Sequence, residues 1–134
     1  MAPKIRGNSL YAATKNGTWT ETEAASVVLG GHLVSINNAE ENSWIKGAFY
    51  DPSSMGSAWI GYYQTGSNSG YRWASGEQST YTNWGQGLPD FPSWEFYAHI
   101  DLYESTGRWA DSNNDGYGNG GLVKGIAEIP LNLS

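Results

Sequence analysis

The arrangement of apolar and polar residues predicts two helices in the first part of the chain. Apolar residues recur at helical spacing after Thr20 and again after Asn38. Each of these two residues has a glutamate three positions later, at Glu23 and Glu41, which is the pattern of a capped helix start. The predicted stops are a glycine pair and an Asp-Pro pair, at residues 30–31 and 51–52.

The rest of the pattern predicts strands and two long loops. Strands are expected at residues 8–13, 32–36, 58–63, 71–73, 95–103, 108–110 and 123–129. Residues 75–94 and 111–121 have neither a helical nor a strand period. A structureless loop of about 20 residues, such as the first of these, is uncommon in a compact domain and usually carries function. We therefore expect residues 1–134 to form a single α+β domain.

Composition and charge narrow the classes of function. The chain contains 18 Gly, 7 Trp and 9 Tyr, so it is rich in turns and in rings that are useful for binding when partly exposed. The net charge of −6 argues against nucleic acid as a partner and is compatible with cation binding. No cysteine is present, which excludes disulfides, zinc–thiolate sites and a thiol nucleophile. The chain contains no apolar run of about 18 residues, which is the length that a membrane-spanning helix needs.

Three carboxylates are expected to converge beside a hairpin over residues 95–109. Its turn falls near residues 104–107, so its open ends bring Glu95 and Asp111 together, with Asp90 close by. Carboxylates that share one spot repel each other unless a cation lies between them. Oxygen ligands suit a hard ion, and calcium takes about six to eight of them. The sequence therefore predicts a calcium site.

The loop that begins at Asp111 carries part of a calcium-loop pattern. Residues 111–116 read Asp-Ser-Asn-Asn-Asp-Gly and match D-x-[DN]-x-[DN]-G. Asn113 and Asp115 are therefore further candidate ligands. Leu122 stands where the pattern ends in glutamate, so an EF-hand is not predicted. The alternative interpretation is a turn in which the Asn and Asp side chains cap their own backbone.

Enzymatic function finds little support in the sequence. Both histidines, His32 and His99, fall within predicted strands, and no G-x-S-x-G elbow surrounds a serine. A glycosidase would need one carboxylate with a raised pKa, and no apolar pocket is evident around Asp90, Glu95 or Asp111 individually. We therefore predict a binding protein that is not an enzyme.

Ordered motifs along nearly the whole chain resemble those of a C-type lectin-like domain. They are Trp19-Thr20-Glu21, residues 30–36, Glu40-Glu41-Asn42, Trp59-Ile60-Gly61, Tyr71-Arg72-Trp73, Asn83-Trp84, Trp109-Ala110-Asp111 and residues 125–129. The resemblance implies two helices packed on small antiparallel sheets, with a long irregular loop region. In lacking cysteine, the chain resembles bacterial members of the family, which are often modules of larger adhesins. We therefore expect one module excised from a surface protein, located outside the cell or at the bacterial cell surface.

The resemblance also implies a calcium ion in the long loop region that binds sugar hydroxyls. Leu88-Pro89-Asp90 stands where the family has Glu-Pro-Asn or Gln-Pro-Asp, with a cis proline bond. Asp90, Glu95 and Asp111 match acidic ligands of the family site. These three residues are the expected core of both the metal site and the sugar site.

Two positions depart from the family pattern. Leu88 and Ala110 replace residues with side-chain oxygens, which removes two ligands. Asn113, Asn114, Asp115 or water would have to substitute for them. These departures favour an alternative function, in which the fold has lost direct sugar coordination and binds a protein through its aromatic loop.

The residue at position 90 also bears on the sugar. An aspartate there resembles the galactose-type variant of the family, and fucose is also compatible. Phe91 and Trp94 follow closely, and an aromatic face stacks well on the apolar face of galactose. We predict a sugar site formed by Asp90, Phe91, Trp94, Glu95 and Asp111, with cell-surface or environmental glycans as partners.

Overall fold

The computed structural model describes residues 2–50, 56–67, 69–90, 94–102, 107–114 and 123–131. Its helices are α1 (Trp19–Val28) and α2 (Ala39–Phe49). Its strands are β1 (Lys4–Arg6), β2 (Ser9–Gly17), β3 (His32–Leu33), β4 (Ser57–Tyr63), β5 (Arg72–Trp73), β6 (Tyr97–Asp101), β7 (Trp109–Ser112) and β8 (Val123–Pro130). The predicted α+β class is confirmed. None of the described helices is long and apolar enough to cross a membrane.

Helix α1 begins earlier than its predicted cap at Thr20. Thr18 is the N-cap: its Oγ1 accepts a hydrogen bond from Glu21 N at 3.1 Å, and Glu21 Oε1 accepts one from Thr18 N at 2.9 Å. Trp19 thereby enters the helix, and its indole N–H donates to the carbonyl of Ile60 at 2.8 Å. Because both Thr-x-x-Glu sequences satisfy the capping rule, the buried tryptophan selects between them.

The glycine pair ends α1 as predicted. Gly30 adopts a φ of 103°, and a Cβ atom on Gly31 would lie 2.1 Å from a carbonyl oxygen of β8. Glu23, which was expected in the helix cap, instead accepts a hydrogen bond from Leu33 N at 2.8 Å and pairs with His32 Nδ1 at 2.7 Å. These contacts fix the start of β3 to the helix.

Helix α2 begins at its predicted cap. Asn38 Oδ1 accepts a hydrogen bond from Glu41 N at 2.8 Å. The helix ends at the fully buried Phe49, and the stop predicted at residues 51–52 lies outside the described residues. The buried carboxylate of Glu41 accepts a hydrogen bond from the hydroxyl of Tyr11 at 2.7 Å, which joins α2 to β2.

The strands form one sheet in the order β1-β2-β8-β4-β6-β7, with β3 paired to β8 and β5 paired to β4. Every pairing between these strands is antiparallel except β4 with β8, which is parallel. That parallel pair joins two antiparallel groups into one sheet. Strand β1 was not predicted, because three polar-flanked residues are too few to show a period. Only His32 and Leu33 of the predicted strand 32–36 belong to a strand.

The core has two parts, one on each face of the sheet. Ala58 and Ile60 of β4 belong to a cluster that also contains Phe49 of α2. Trp59, which lies between them in sequence, belongs to a second cluster with Trp19 of α1. The strand period of two explains this division, since alternate side chains point to opposite faces. All of β4 from Ala58 to Ile60 is consequently buried.

The long loop is anchored to β7 at Trp84. Trp109 N donates to the carbonyl of Asn83 at 2.9 Å, and Gly85 N donates to the carbonyl of Trp109 at 2.8 Å. The ring of Trp84 lies 5.8 Å from that of Trp109, nearly perpendicular to it, and packs against the core. The loop therefore runs beside β7 immediately before it reaches residues 88–90.

Candidate metal and ligand site

A turn brings the chain back to β7 between Gly85 and Asp90. Leu88 N donates to the carbonyl of Gly85 at 3.0 Å. The peptide bond between Leu88 and Pro89 is cis, as the family resemblance implied. The backbone N–H of Asp90 then donates to both carboxylate oxygens of Asp111, at 3.2 and 3.0 Å. This contact fixes the tip of the loop against the strand.

Three carboxylates meet at this contact. Each of Asp90, Glu95 and Asp111 offers an oxygen atom, and these atoms lie within 4.8 Å of one another. Glu95 is 1% exposed and Asp111 is 0% exposed, whereas Asp90 is partly buried. The structure thus brings together the three acidic residues that the open ends of the hairpin predicted as neighbours.

The electrostatics of the cluster favour a bound cation. Burial raises the pKa of Asp111 to about 6, and the charge of Asp90 adds to this rise, while backbone N–H groups oppose it. The Oδ1 atom of Asp90 is buried and accepts no hydrogen bond from the described part of the chain. A negatively charged set of oxygen donors fits a hard divalent cation such as calcium.

A tyrosine that the sequence did not single out borders the carboxylates. The hydroxyl of Tyr71 donates a hydrogen bond to the backbone carbonyl of Glu95 at 3.3 Å. Burial raises its pKa well above the usual value, and the negative charges of Asp111, Glu95 and Asp90 raise this pKa further. The ring stacks on Tyr62 with centroids 5.1 Å apart. Its place in a short predicted strand gave no sign of this position.

Asn114, considered above as a replacement ligand, is engaged with helix α1. Its backbone carbonyl accepts a hydrogen bond from Trp19 N at 3.0 Å. Its Oδ1 accepts one from Thr20 N at 3.0 Å, and its Nδ2 donates to Thr20 Oγ1 at 3.0 Å. The start of the second loop is therefore fastened to the first turn of α1, which the sequence pattern alone did not reveal.

The remaining predicted site residues differ in where the structure places them. Asn113 is half-buried, and its carbonyl accepts a hydrogen bond from Ser112 Oγ at 3.0 Å. Trp94 precedes Glu95 and is 47% exposed. Phe91 and Asp115 lie outside the described residues, so their roles stay predictions.

Leu88 and Ala110, the two departures from the family pattern, line the same groove. It has a volume of about 470 Å³, and we call it the Leu88 groove. Its other lining residues include Ser57, His99, Asp101 and Arg108. Leu88 also lies over the turn, because a Cβ atom on Gly85 would be 3.2 Å from Leu88 Cδ1. The side chain of Leu88 thus contributes apolar surface to the wall of this groove.

Comparison with known proteins agrees with this fold. The family model of the lectin C-type domain matches residues 15–118 of this chain. The C-type lectin lectoxin-Lio1 of Erythrolamprus poecilogyrus is 31% identical over 99 residues, which are 71% of this chain and 60% of the relative. The chain thus matches less than two thirds of that relative's length.

Solved structures share the fold over nearly the full chain. The C-type lectin CEL-I from Cucumaria echinata has a TM-score of 0.78 at 24% identity, covering 94% of this chain and 93% of its own. A calcium-independent type II antifreeze protein has a TM-score of 0.80 at 22% identity, covering 96% of this chain and 91% of its own. Since the family model extends from β2 across α1, α2 and the carboxylate site, this protein belongs to the C-type lectin domain family.

Proposed function

We propose that this protein is a calcium-dependent carbohydrate-binding module. The observation that carries the proposal is the convergence of Asp90, Glu95 and Asp111, whose oxygens lie within 4.8 Å of one another at a largely buried position. Such a cluster repels itself, and a divalent cation would reverse that repulsion into attraction. Calcium suits the site because it accepts carboxylate ligands in flexible geometries.

In this proposal the protein residues hold the ion and leave part of its shell for ligand hydroxyls. Asp90, Glu95 and Asp111 would bind the cation, with Asn113 and Asp115 as proposed further ligands. A bound calcium ion would supply the positive charge, and two neighbouring sugar hydroxyls could coordinate to it. The carboxylates that bind the ion would also accept hydrogen bonds from those hydroxyls.

The leaning towards galactose- or fucose-type glycans rests on two observations. Position 90 carries aspartate, as in the galactose-type variant of the family. Trp94, next to Glu95, is 47% exposed and offers an aromatic face on which a pyranose can stack. Phe91 stays a proposed further contact with the sugar.

A role in an adhesin at the cell surface or outside the cell is part of the same proposal. It is supported by the absence of cysteine, which resembles bacterial members of the family. The lectin lectoxin-Lio1 is eukaryotic, and the match covers only 60% of its chain. The bacterial origin is therefore proposed from composition and not from relatedness.

A glycan array probed with calcium and with EDTA tests the proposal directly. We expect galactose- or fucose-bearing glycans to bind in calcium and to be released by EDTA. Calcium should also raise the melting temperature of the wild-type protein, and Asp90→Ala should abolish that rise. The absence of both glycan binding and a calcium-induced thermal shift would refute the proposal.

A second candidate function is the binding of a protein through the same surface. Leu88 and Ala110 contribute apolar surface to the Leu88 groove, and Trp94 is exposed. Exposed aromatic and aliphatic groups are typical of contact hot spots. Binding of a protein ligand that is unaffected by EDTA, with no glycan binding, would favour this function over the first.

A further inference from the structure

The start of α1 is capped from two parts of the chain. A helix leaves its first four backbone N–H groups without partners inside the helix. Two of them are satisfied locally, since Glu21 N donates to Thr18 Oγ1 and Thr18 N donates to Glu21 Oε1. The other two donate to Asn114: Trp19 N to its carbonyl and Thr20 N to its Oδ1, each at 3.0 Å. Asn114 thus completes the cap of a helix that lies far away in sequence.

The same first turn lies behind both segments that carry the buried carboxylates. Asn114 follows Asp111 by three residues, and three residues span at most about 11 Å. On the neighbouring strand, Tyr97 follows Glu95 by two residues, and its ring lies 4.8 Å from the ring of Trp19. The first turn of α1 therefore contacts the chain just beyond Asp111 and just beyond Glu95.

These contacts are anchored in the core. Trp19 is 5% exposed, and its indole N–H donates to the carbonyl of Ile60 in β4 at 2.8 Å. We call Trp19, Thr20 and Asn114 the α1 brace. Because the brace is fixed to the central part of the sheet, the chain that leaves β7 after Asp111 has one fixed end in the sheet and another at the helix.

Asn114 acts on the carboxylates through position, because both ends of its amide are engaged. Its Oδ1 accepts from Thr20 N, and its Nδ2 donates to Thr20 Oγ1 at 3.0 Å. Without a cation, the charges of Asp90, Glu95 and Asp111 repel one another and favour separation of the segments that carry them. The α1 brace opposes that separation on the Asp111 side.

We propose that Asn114 is a positioning residue for the cation site and that cation binding in turn tightens the first turn of α1. The inference rests on the proposed binding of calcium and adds to it a coupling between the site and a helix terminus. Such coupling is reciprocal: if the brace raises calcium affinity by some factor, calcium stabilises the brace by the same factor.

The first test measures calcium affinity by isothermal titration in wild type and Asn114→Ala. We expect the dissociation constant to rise by about five- to fiftyfold in the variant, and a fivefold rise corresponds to about 1 kcal/mol. Asn38→Ala makes the same substitution at the N-cap of α2, where Asn38 Oδ1 accepts from Glu41 N. This control should lower the melting temperature as the loss of a cap does and leave the calcium dissociation constant unchanged.

Two results of this titration would overturn the inference. A lower melting temperature of Asn114→Ala with a wild-type calcium dissociation constant would assign Asn114 a structural role alone. Complete loss of calcium binding in a folded Asn114→Ala would make Asn114 a ligand of the ion itself.

The second test needs no variant to fold, because it follows amide hydrogen exchange by NMR in the wild-type protein. Calcium should slow the exchange of the Trp19 and Thr20 amides by about fivefold or more relative to the Glu41 amide, which is capped within α2. Helix ends exchange through local opening, so this ratio reports on the brace. An unchanged ratio on addition of calcium would contradict the coupling.

The outcomes separate this inference from the proposed function. Calcium binding by wild type, with equal affinity in Asn114→Ala and no selective slowing at Trp19 and Thr20, overturns only the positioning role. No calcium binding by wild type overturns the cation site and the positioning role with it. Neither measurement uses a sugar, so the result does not depend on which glycan the protein binds.

Discussion

The hydroxyl of Tyr71 is hydrogen-bonded to the backbone carbonyl of Glu95, 3.3 Å away. Tyr71 lies just before β5, where the chain enters the long loop, and Glu95 lies where the chain leaves it. The bond therefore joins the two ends of the loop at the carboxylate site. Stacking of the Tyr71 ring on Tyr62 holds the phenol in this position.

Loss of this hydroxyl should weaken calcium binding more than it weakens the fold. We expect Tyr71→Phe to raise the calcium concentration for half-maximal thermal stabilisation by about three- to tenfold, the effect of one lost hydrogen bond. Tyr62→Phe keeps the same aromatic stack and serves as the control. Equal calcium affinities in wild type and Tyr71→Phe would show that the bond does not position Glu95.

Replacing one buried carboxylate should distinguish two effects of the cluster: the stability that it costs the calcium-free protein, and the calcium binding that it provides. Asp111→Asn keeps an oxygen that can accept the N–H of Asp90 but removes a carboxylate whose pKa is raised by burial. We expect the calcium-free variant to be more stable than wild type by about 1–3 kcal/mol at pH 7, and to show no stabilisation by calcium. Chemical denaturation with and without calcium measures both effects.

A half-buried aspartate on the neighbouring strand, Asp101, provides the comparison for that variant. Asp101→Asn alters a carboxylate outside the three-residue cluster and should leave the calcium effect in place. If Asp111→Asn still gained stability from calcium as wild type does, the ion would bind elsewhere.

His99 should make the fold sensitive to mild acid. Burial, partly opposed by the charge of Asp101, lowers its pKa from 6.5 to about 4, and its ring packs edge-on against Trp59 at 5.7 Å. Between pH 6.5 and 4 the unfolded chain binds a proton that the folded protein does not. The free energy of unfolding should therefore fall through this window as pH falls, by up to about 3 kcal/mol.

Denaturation of wild type and His99→Gln across pH 7 to 4 measures this contribution. The difference between their unfolding free energies should change through the window, since glutamine does not titrate. Asp101, whose charge acts on the ring, is the same in both proteins. A difference that is constant with pH would contradict the assignment.

Replacing either of two glycines by alanine should change the stability of the protein, in opposite directions at the two positions. A Cβ atom on Gly61 would lie 2.5 Å from the carbonyl oxygen of Leu33 and 3.0 Å from that of Val34, and backbone cannot yield as a side chain can. Gly61→Ala should destabilise the protein by about 3 kcal/mol or more. Gly47 lies in α2 with nothing within 4 Å of the added atom, so Gly47→Ala should stabilise by about 0.5–1 kcal/mol. Thermal unfolding of both variants checks the contrast.

Local sequence was sufficient to predict the elements with strong local signals. The cap at Asn38, the glycine stop after α1 and the class of the fold follow from hydrogen bonds and apolar periods that span only a few residues. The cap of α1 did not follow, because Thr18 and Thr20 each stand three residues before a glutamate. Burial of Trp19 under β4 distinguished them, and burial is a property of the whole fold.

The candidate site was predicted in part for the same reason. A hairpin necessarily brings its ends together, so the proximity of Glu95 and Asp111 could be inferred from the chain itself, with Asp90 following from the adjoining loop. The engagement of Asn114 with α1 could not be inferred, because it joins residues 94 positions apart. Tyr71 was missed because nothing local marks a tyrosine whose partner lies across a long loop.

The amino-acid sequence by itself determined the presence of the two helices, the acidic character of the loops and the apolar nature of positions 88 and 110, since these depend on residue type and short-range spacing. Only the tertiary structure decided what Leu88 does. Packing of the 85–90 turn against β7 brings the backbone N–H of Asp90 to the carboxylate of Asp111 and places Leu88 in a groove with Ala110. The physical reason is that side-chain direction at a turn is set by the distant strand against which the turn packs.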